Sequence, residues 1–230
     1  GEFVHDAVAG AALASVVERG DASYFVEAEA CLALGRTRTA RAGELLRAAA
    51  NRESFTDVIR QHAYRGLAEA RDDSALGLLV EGTRWGRITQ GRRAATGALA
   101  VLMRGRRDRE ARDVREHVER LLSDRDFRVQ AAAVEALGVI GDPAAIPSLR
   151  RMIDRELDGR LRRRGKEVIR DLEDGAPLAD EVRRLRDEVG ELRSLAGMLR
   201  ERLELIEAGG TLPGDDDEKK EKKKKKKKRS

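Results

Sequence analysis

Residues 127–153 read FRVQAAAVEALGVIGDPAAIPSLRRMI, two apolar-periodic segments separated by Gly-Asp-Pro. The first segment recurs in degraded form as FVEAEACLALG, VIRQHAYRGLA, RRAATGALAVL and KEVIRDL. One marker leucine identifies each copy in the alignment: Leu34, Leu67, Leu99, Leu137 and Leu172. These leucines are spaced by 33, 32, 38 and 35 residues, and a period in this range is typical of stacked helical repeats.

The residues of the strongest copy explain how such a repeat is built. A pair of antiparallel helices cannot bury its apolar faces alone, so pairs must stack, and alanines let the helices approach closely. Asp142 is predicted to cap the second helix, with Pro143 at its first position. Gly138 and Gly141 are predicted to form the tight turn between the helices. We expect Pro147 to remove one helical hydrogen bond and to bend the second helix near its start.

Composition agrees with an all-α chain, because only 3% of the residues are aromatic and 39% are charged, whereas strands favour aromatic and β-branched residues. We therefore predict an α-α superhelical solenoid, followed by a long coiled-coil helix and a disordered tail. The predicted divisions are the second helix of a truncated repeat (1–20), the solenoid (21–177), the coiled-coil or capping helix (178–208) and the tail (209–230). Within the solenoid, repeats are predicted near 21–50, 54–82, 87–122 and 125–157, with a last helix at 159–173.

After residue 177 the apolar spacing changes to alternating steps of four and three, which is typical of a coiled coil. The predicted interface consists of Leu178, Val182, Leu185, Val189, Leu192, Ala196, Leu199, Leu203 and Ile206. This choice of residues favours a parallel homodimer through 178–208. Gly190 and Gly197 weaken the helix, and the alternative is a single helix that folds back on the solenoid as a cap.

The last residues carry all of the net charge. Residues 215–230 hold ten of the 47 basic and five of the 42 acidic residues, which leaves 37 of each sign in the rest of the chain. The tail GGTLPGDDDEKKEKKKKKKKRS offers little to bury and is predicted to be disordered. It is either a solvated solubility tail or a weak, non-specific binder of polyanions such as nucleic acid or an anionic membrane face.

Motifs for catalysis or metal binding do not emerge from the sequence. His5, His62 and His117 are far apart and none belongs to an HExxH motif, so we predict no catalytic, metal or cofactor site in this chain. Cys31 lies in an apolar run and is predicted to be a buried packing residue. The longest apolar stretch, 7–17, is shorter than the ~20 residues of a membrane span, and with no signal peptide we expect a cytoplasmic protein.

One segment has the composition of a contact surface. TRWGR at 83–87 lies between predicted repeats and contains the only tryptophan of the chain. Trp85, Arg84, Arg87 and Arg92 are therefore candidate contacts for a protein partner, because Trp and Arg dominate binding energy at interfaces. The alternative is that Trp85 folds onto the edge of the repeat.

Residues 21–173 resemble HEAT repeats of the short bacterial type. More narrowly, SYFVEAEACLALGRTR, SFTDVIRQHAYRGLAEARDDSALGLL and DGRLRRRGKEVIRDL, in this order, resemble the C-terminal helical region of bacterial M1-type zinc aminopeptidases. This resemblance implies a non-catalytic accessory region that closes over an upstream catalytic domain. The family's HExxH and GxMEN motifs have no matching positions here, so zinc would belong only to that upstream domain.

Two hypotheses for the function follow. The chain is the accessory part of a larger M1-like enzyme, as we expect from a start at Gly1 without methionine. Alternatively, it is a free-standing HEAT adaptor that binds protein partners and dimerises through 178–208.

Overall fold

The computed structural model describes residues 4–175, 182, 184–185, 188–193 and 195–200. It divides the chain into two compact units, residues 1–179 and 180–230. In the described part of the first unit, secondary structure is helical throughout, with no strand. The described residues of this unit form the α-helices α1 (Ala7–Arg19), α2 (Tyr24–Thr37), α3 (Ala42–Ala49), α4 (Val58–Glu69), α5 (Leu76–Gly82), α6 (Thr89–Leu102), α7 (Arg109–Leu121), α8 (Phe127–Ile140), α9 (Ile146–Arg155) and α10 (Gly159–Glu173).

Short polar side chains start many of these helices. The carboxylates of Asp6, Asp108, Asp126 and Asp158 each accept a hydrogen bond from a backbone N–H in the first turn of the helix that follows. These bonds satisfy donors that have no partner within the helix. At the other end of α8, Gly141 adopts a left-handed conformation with φ of 74°, which glycine does without steric cost.

The helices of the first unit form two rows. The even-numbered helices α2, α4, α6, α8 and α10 pack side by side in chain order, and we call them the even row. The odd-numbered helices α3, α5, α7 and α9 each pack against the even-row helix that follows them in the chain, and α1 packs against α2 and α3. This arrangement confirms the prediction of an all-α chain built from repeated helix pairs.

The marker leucines confirm the repeat alignment. Leu34, Leu67, Leu99 and Leu137 are fully buried, and Leu172 is 2% exposed. Alanine is common in the rest of the core, for example at Ala28, Ala63, Ala95 and Ala133. Small residues at these contacts allow the close helix approach that stacked repeats need.

Two details of the strongest repeat differ from the prediction. Gly138 lies inside α8, where an added Cβ would be 3.3 Å from a methyl group of Val168 on α10, so it serves helix packing rather than the turn. A 3₁₀ turn at Pro143–Ala145, capped by Asp142, precedes α9, and α9 itself begins at Ile146. Pro147 therefore lies in the first turn of α9, where its missing N–H removes no helical hydrogen bond.

The described residues of the second unit are helical. Among the predicted coiled-coil residues, Val182, Leu185, Val189, Leu192 and Leu199 are between 44% and 54% exposed. Leu178, Leu203 and Ile206, and the tail at 209–230, lie outside the described residues. Within the described ranges, none of the helices has the length and apolar content needed to cross a membrane.

Candidate functional site

The aromatic residues of this chain lie mostly on its surface. Among the described residues only Tyr64 is a buried aromatic, at 1% exposure. The exposed aromatic residues are Tyr24 (47%), Phe25 (69%), Phe55 (74%), Trp85 (61%) and Phe127 (42%). Large aromatic side chains usually dominate the core energetics of a protein, but here alanine, leucine and valine fill the core. The exposure of the aromatics therefore points to a use at the surface.

The five exposed aromatic residues occupy equivalent places in the fold. Each lies either in the loop that leads into an even-row helix or in the first turn of that helix. Tyr24 and Phe25 begin α2, Phe55 precedes α4, Trp85 precedes α6 and Phe127 begins α8. Leu157, which is 95% exposed, continues the series before α10.

Contacts between successive loops place the aromatics along one edge of the first unit. Arg52, in the loop before α4, forms an ion pair with Glu27 in the first turn of α2. A Cβ at Gly91, near the start of α6, would lie 2.7 Å from the carboxylate of Asp57.

The same adjacency continues towards the C-terminus. The Thr89 hydroxyl, at the start of α6, donates a hydrogen bond to Asp126 before α8. Ser123 and Glu156, from the next two loops, line one small cavity. We call the surface formed by Tyr24, Phe25, Phe55, Trp85 and Phe127 the aromatic edge.

In the first four of the five aligned copies, one position fixes the loop that carries the aromatic residue, whereas the fifth copy has Gly165 there. This position lies seven residues before the marker leucine, and its side chain hydrogen-bonds the backbone of the preceding loop. The bonds run from the Asp21 N–H to Glu27 Oε2 (3.4 Å), from Arg60 Nε to the Ala50 carbonyl (2.8 Å), from Arg92 Nε to the Thr83 carbonyl (2.8 Å) and from Gln130 Nε2 to the Asp124 carbonyl (2.7 Å). Side chains of the even-row helices thus hold these loops in place.

The predicted contact residue Arg92 is not on the surface. It is 2% exposed, and its guanidinium group donates hydrogen bonds to both carboxylate oxygens of Asp124, one of them at 3.1 Å. Burial raises the pKa of Asp124, but the hydrogen bonds from Arg92 and from the Asp126 N–H outweigh it and hold that pKa below its ordinary value. The structure therefore places Arg92 under the loop, which it holds through the Thr83 carbonyl and Asp124, and not on the exposed surface that the sequence analysis expected.

Trp85 is held between charged groups. The guanidinium carbon of Arg92 lies 5.4 Å from the centre of the indole ring, and that of Arg125 lies 5.7 Å from it. Both distances are within the range of a cation–π interaction. Although Trp85 is mostly exposed, the buried Arg92 beneath it restricts its orientation, so the ring is presented in a defined position.

The loop around Trp85 has a second attachment and an exposed basic rim. The Thr83 hydroxyl lies 2.8 Å from Nε2 of His117 on α7, and burial, followed by the charge of Arg120, lowers the pKa of His117. Arg84 and Arg87 are exposed and form ion pairs with Glu81, at 3.5 and 3.2 Å. Three of the four predicted contact residues, Trp85, Arg84 and Arg87, thus share one exposed loop.

The other members of the aromatic edge escaped the sequence prediction, although a signal exists. Phe25, Phe55 and Trp85 recur every 30 residues, which is close to the repeat length, but their exposure is visible only in the folded chain. In the described part of the chain, His, Cys, Asp and Glu do not gather into any group of three able to hold a metal ion.

Comparison with known proteins identifies part of the fold. Residues 88–170 match the family model of HEAT repeats, a segment that runs from just before α6 into α10. HEAT repeats are helical scaffolds for protein interaction. No curated protein matches the chain.

Proposed function

We propose that this chain is a non-catalytic helical-repeat scaffold that binds a protein partner through the aromatic edge. The observation that carries the proposal is the exposure of five aromatic side chains on adjacent, anchored loops of a fold whose core contains almost no aromatics. The similarity of residues 88–170 to HEAT repeats supports the same conclusion.

The dimensions of the edge suit a protein interface. Neighbouring helices pack about 8–10 Å apart, so the loops from α2 to α8 extend over roughly 25–30 Å. This length matches a standard interface, which buries about 800 Å² on each partner. Trp, Tyr and Arg are the residues that most often dominate binding energy, and anchored loops reduce the entropy that is lost on association.

Site-specific photo-crosslinking in the native host tests the proposal. A photoreactive phenylalanine analogue replaces Phe55 or Trp85 on the edge, and Glu44 of α3 or Arg112 of α7 as exposed controls away from it. We expect the two edge positions to capture the same protein and the controls to capture none of it. Capture of the same species from all four positions, or of nothing from the edge, contradicts the proposal.

A narrower form of the proposal makes the scaffold the C-terminal part of an M1-like zinc aminopeptidase. Its support is the sequence resemblance of the three segments within residues 21–173. In that case the partner is the chain's own upstream catalytic domain, which would hold the zinc ion. Sequencing the gene upstream of Gly1 tests this form, because it requires an in-frame segment that encodes HExxH.

A second candidate function is dimerisation through 178–208, with the scaffold acting as a free-standing cytoplasmic adaptor. The observation that favours it is the half-exposed apolar series Val182, Leu185, Val189 and Leu192, which keeps coiled-coil spacing on helical residues. Light scattering of the full chain should give a dimer, and replacing Leu185 and Leu192 by Asp should give a monomer. A monomeric unmodified chain would refute this assembly.

A further inference from the structure

A second surface of the even row forms an open groove. Residues of α2, α4, α6 and α8 line this groove, which has a volume of about 590 Å³. Small or apolar side chains make its floor, including Leu32, Ala94, Ala98 and Val101. Gly97 faces open space, since nothing lies within 4 Å of where its Cβ would be. A peptide backbone can therefore approach the helices closely at this point.

Three arginines that line the groove form no ion pair with the residues described. Arg36 of α2, Arg65 of α4 and Arg93 of α6 are exposed, and none of them donates a hydrogen bond or forms an ion pair within the ranges that the structure describes. Two acids share the groove. Glu135 is already neutralised by two hydrogen bonds of 2.7 Å from Arg164, so Glu69 is the remaining carboxylate and the groove has an excess of positive charge.

The three arginines follow a diagonal across the even row. Arg36 lies two residues after its marker leucine, Arg65 lies two residues before its own, and Arg93 lies six residues before its own. From one arginine to the next, the position moves to the neighbouring helix, whose axis is about 8–10 Å away. It also moves about one helical turn, or 5–6 Å, towards the N-terminus of that helix. Successive arginines are therefore about 9–12 Å apart at the backbone.

We propose that this groove binds a protein segment in extended conformation that carries a carboxylate at every third residue. Three residues of an extended chain span about 10 Å, and in polyproline II conformation every third side chain points to the same side. A segment of this kind places one carboxylate opposite each arginine. Arginine is well suited to the contact, because its guanidinium group can bind a carboxylate through two hydrogen bonds.

The groove also offers groups for the backbone of the segment. The Gln61 side-chain nitrogen donates to the Thr56 carbonyl at 2.9 Å, which leaves its amide oxygen to accept from a peptide N–H. Gln90 lines the same groove, and its amide has no hydrogen bond to the residues described. Together with the small floor residues, these amides favour an extended peptide over a bulky helix.

Fluorescence anisotropy with synthetic peptides tests the inference on the full chain. The probe is a labelled peptide with the sequence EPAEPAEPA, and the control peptide has the same composition with its three glutamates adjacent. We expect the evenly spaced peptide to bind more tightly than the control, and the triple substitution R36Q, R65Q and R93Q to weaken its binding about tenfold at low salt. Binding should also weaken as salt rises.

Matched variants separate the groove from general charge effects. Arg112, Arg155 and Arg162 are exposed and lie outside the groove, so their triple replacement by Gln removes the same charge and should leave affinity unchanged. The lysine-rich tail is present in every variant and cannot cause a difference between them. Equal loss in both triple variants, equal binding of the two peptides, or no binding at all overturns the inference.

The peptide-binding test distinguishes a failure of the groove from a failure of the aromatic edge. Replacing Phe55 by Ala alters the aromatic edge without touching the groove, so peptide affinity should not change. Circular dichroism confirms that each variant is folded. Tighter binding of a single-stranded oligonucleotide than of the peptide, lost in the groove variant, would mean that the arginines serve nucleic acid and would also overturn the inference.

Discussion

Gly35 of α2 and Gly66 of α4 face each other with no side chain between their backbones. A Cβ added to Gly35 would lie 2.1 Å from the Gly66 carbonyl oxygen and 2.5 Å from its Cα. A Cβ added to Gly66 would lie 2.6 Å from the Cys31 carbonyl oxygen. Because backbone atoms cannot move aside as a side chain can, this contact sets how closely α2 and α4 approach.

The first prediction concerns that contact. Gly35→Ala should destabilise the protein by about 3 kcal/mol, since overpacking forces the two helices apart. Gly97→Ala is the matched control in a helix, and with open space around it should stabilise by about 0.5–1 kcal/mol. Urea unfolding followed by circular dichroism measures both changes. A neutral Gly35→Ala would show that α2 and α4 do not meet at this point.

The second prediction tests the repeat alignment. Leu137 is fully buried, whereas Leu157 is 95% exposed. Leu137→Ala should therefore lower the free energy of unfolding by about 2–5 kcal/mol, and Leu157→Ala should change it by less than about 0.5 kcal/mol. Equal effects in thermal or urea unfolding would contradict the burial pattern on which the fold rests.

The third prediction concerns the ion pair between Arg92, which is buried, and Asp124, which is partly buried. Arg92→Met should destabilise by about 2–3 kcal/mol, because it leaves the partly buried carboxylate of Asp124 without its partner. Arg84→Met, which breaks an exposed pair with Glu81, should cost less than about 1 kcal/mol. Trp85 is the only tryptophan, so its fluorescence should shift in the Arg92 variant, as the guanidinium group beneath the ring is lost.

The fourth prediction follows from the lowered pKa of Asp124. A carboxyl group with a lowered pKa in the folded state contributes stability above its ordinary value, near 3.9, and this contribution disappears as the pH falls through the folded pKa. Wild type should therefore lose stability below about pH 4. Asp124→Asn should lose less between pH 6 and pH 3 in urea unfolding, and an identical loss in the two proteins would exclude a contribution from this pair.

The fifth prediction concerns Cys31, which is fully buried as expected from the sequence. Burial, with a smaller contribution from Glu27, raises the pKa of its thiol to about 12. Since the thiolate is the reactive form, Cys31 should not react with an aromatic disulfide reagent at pH 8 in the native protein. One thiol should react after unfolding in urea, and rapid reaction without denaturant would show that the contact between α2 and α4 opens.

The sequence alone determined the features that depend on local spacing. The recurrence of Leu34, Leu67, Leu99 and Leu137 predicted the repeats and the buried positions, because a helix returns a side chain to the same face every three or four residues. Gly141 also indicates the end of α8 at Ile140, but the sequence does not show that the next helix begins at Ile146. The sequence predicts a helix that begins at Pro143 and therefore places Pro147 inside it, whereas the 3₁₀ turn before Ile146 puts Pro147 in the first turn of α9.

Which residues come together on a surface depends on how the helices stack. Glu27, Arg60, Arg92 and Gln130 occupy one anchoring position with different chemistry, so residue type alone does not identify them. The aromatic edge and the arginine diagonal likewise combine residues about 30 apart in the chain. Stacking of repeats determines such neighbours, and stacking depends on contacts such as Gly35 with Gly66 that join distant parts of the sequence.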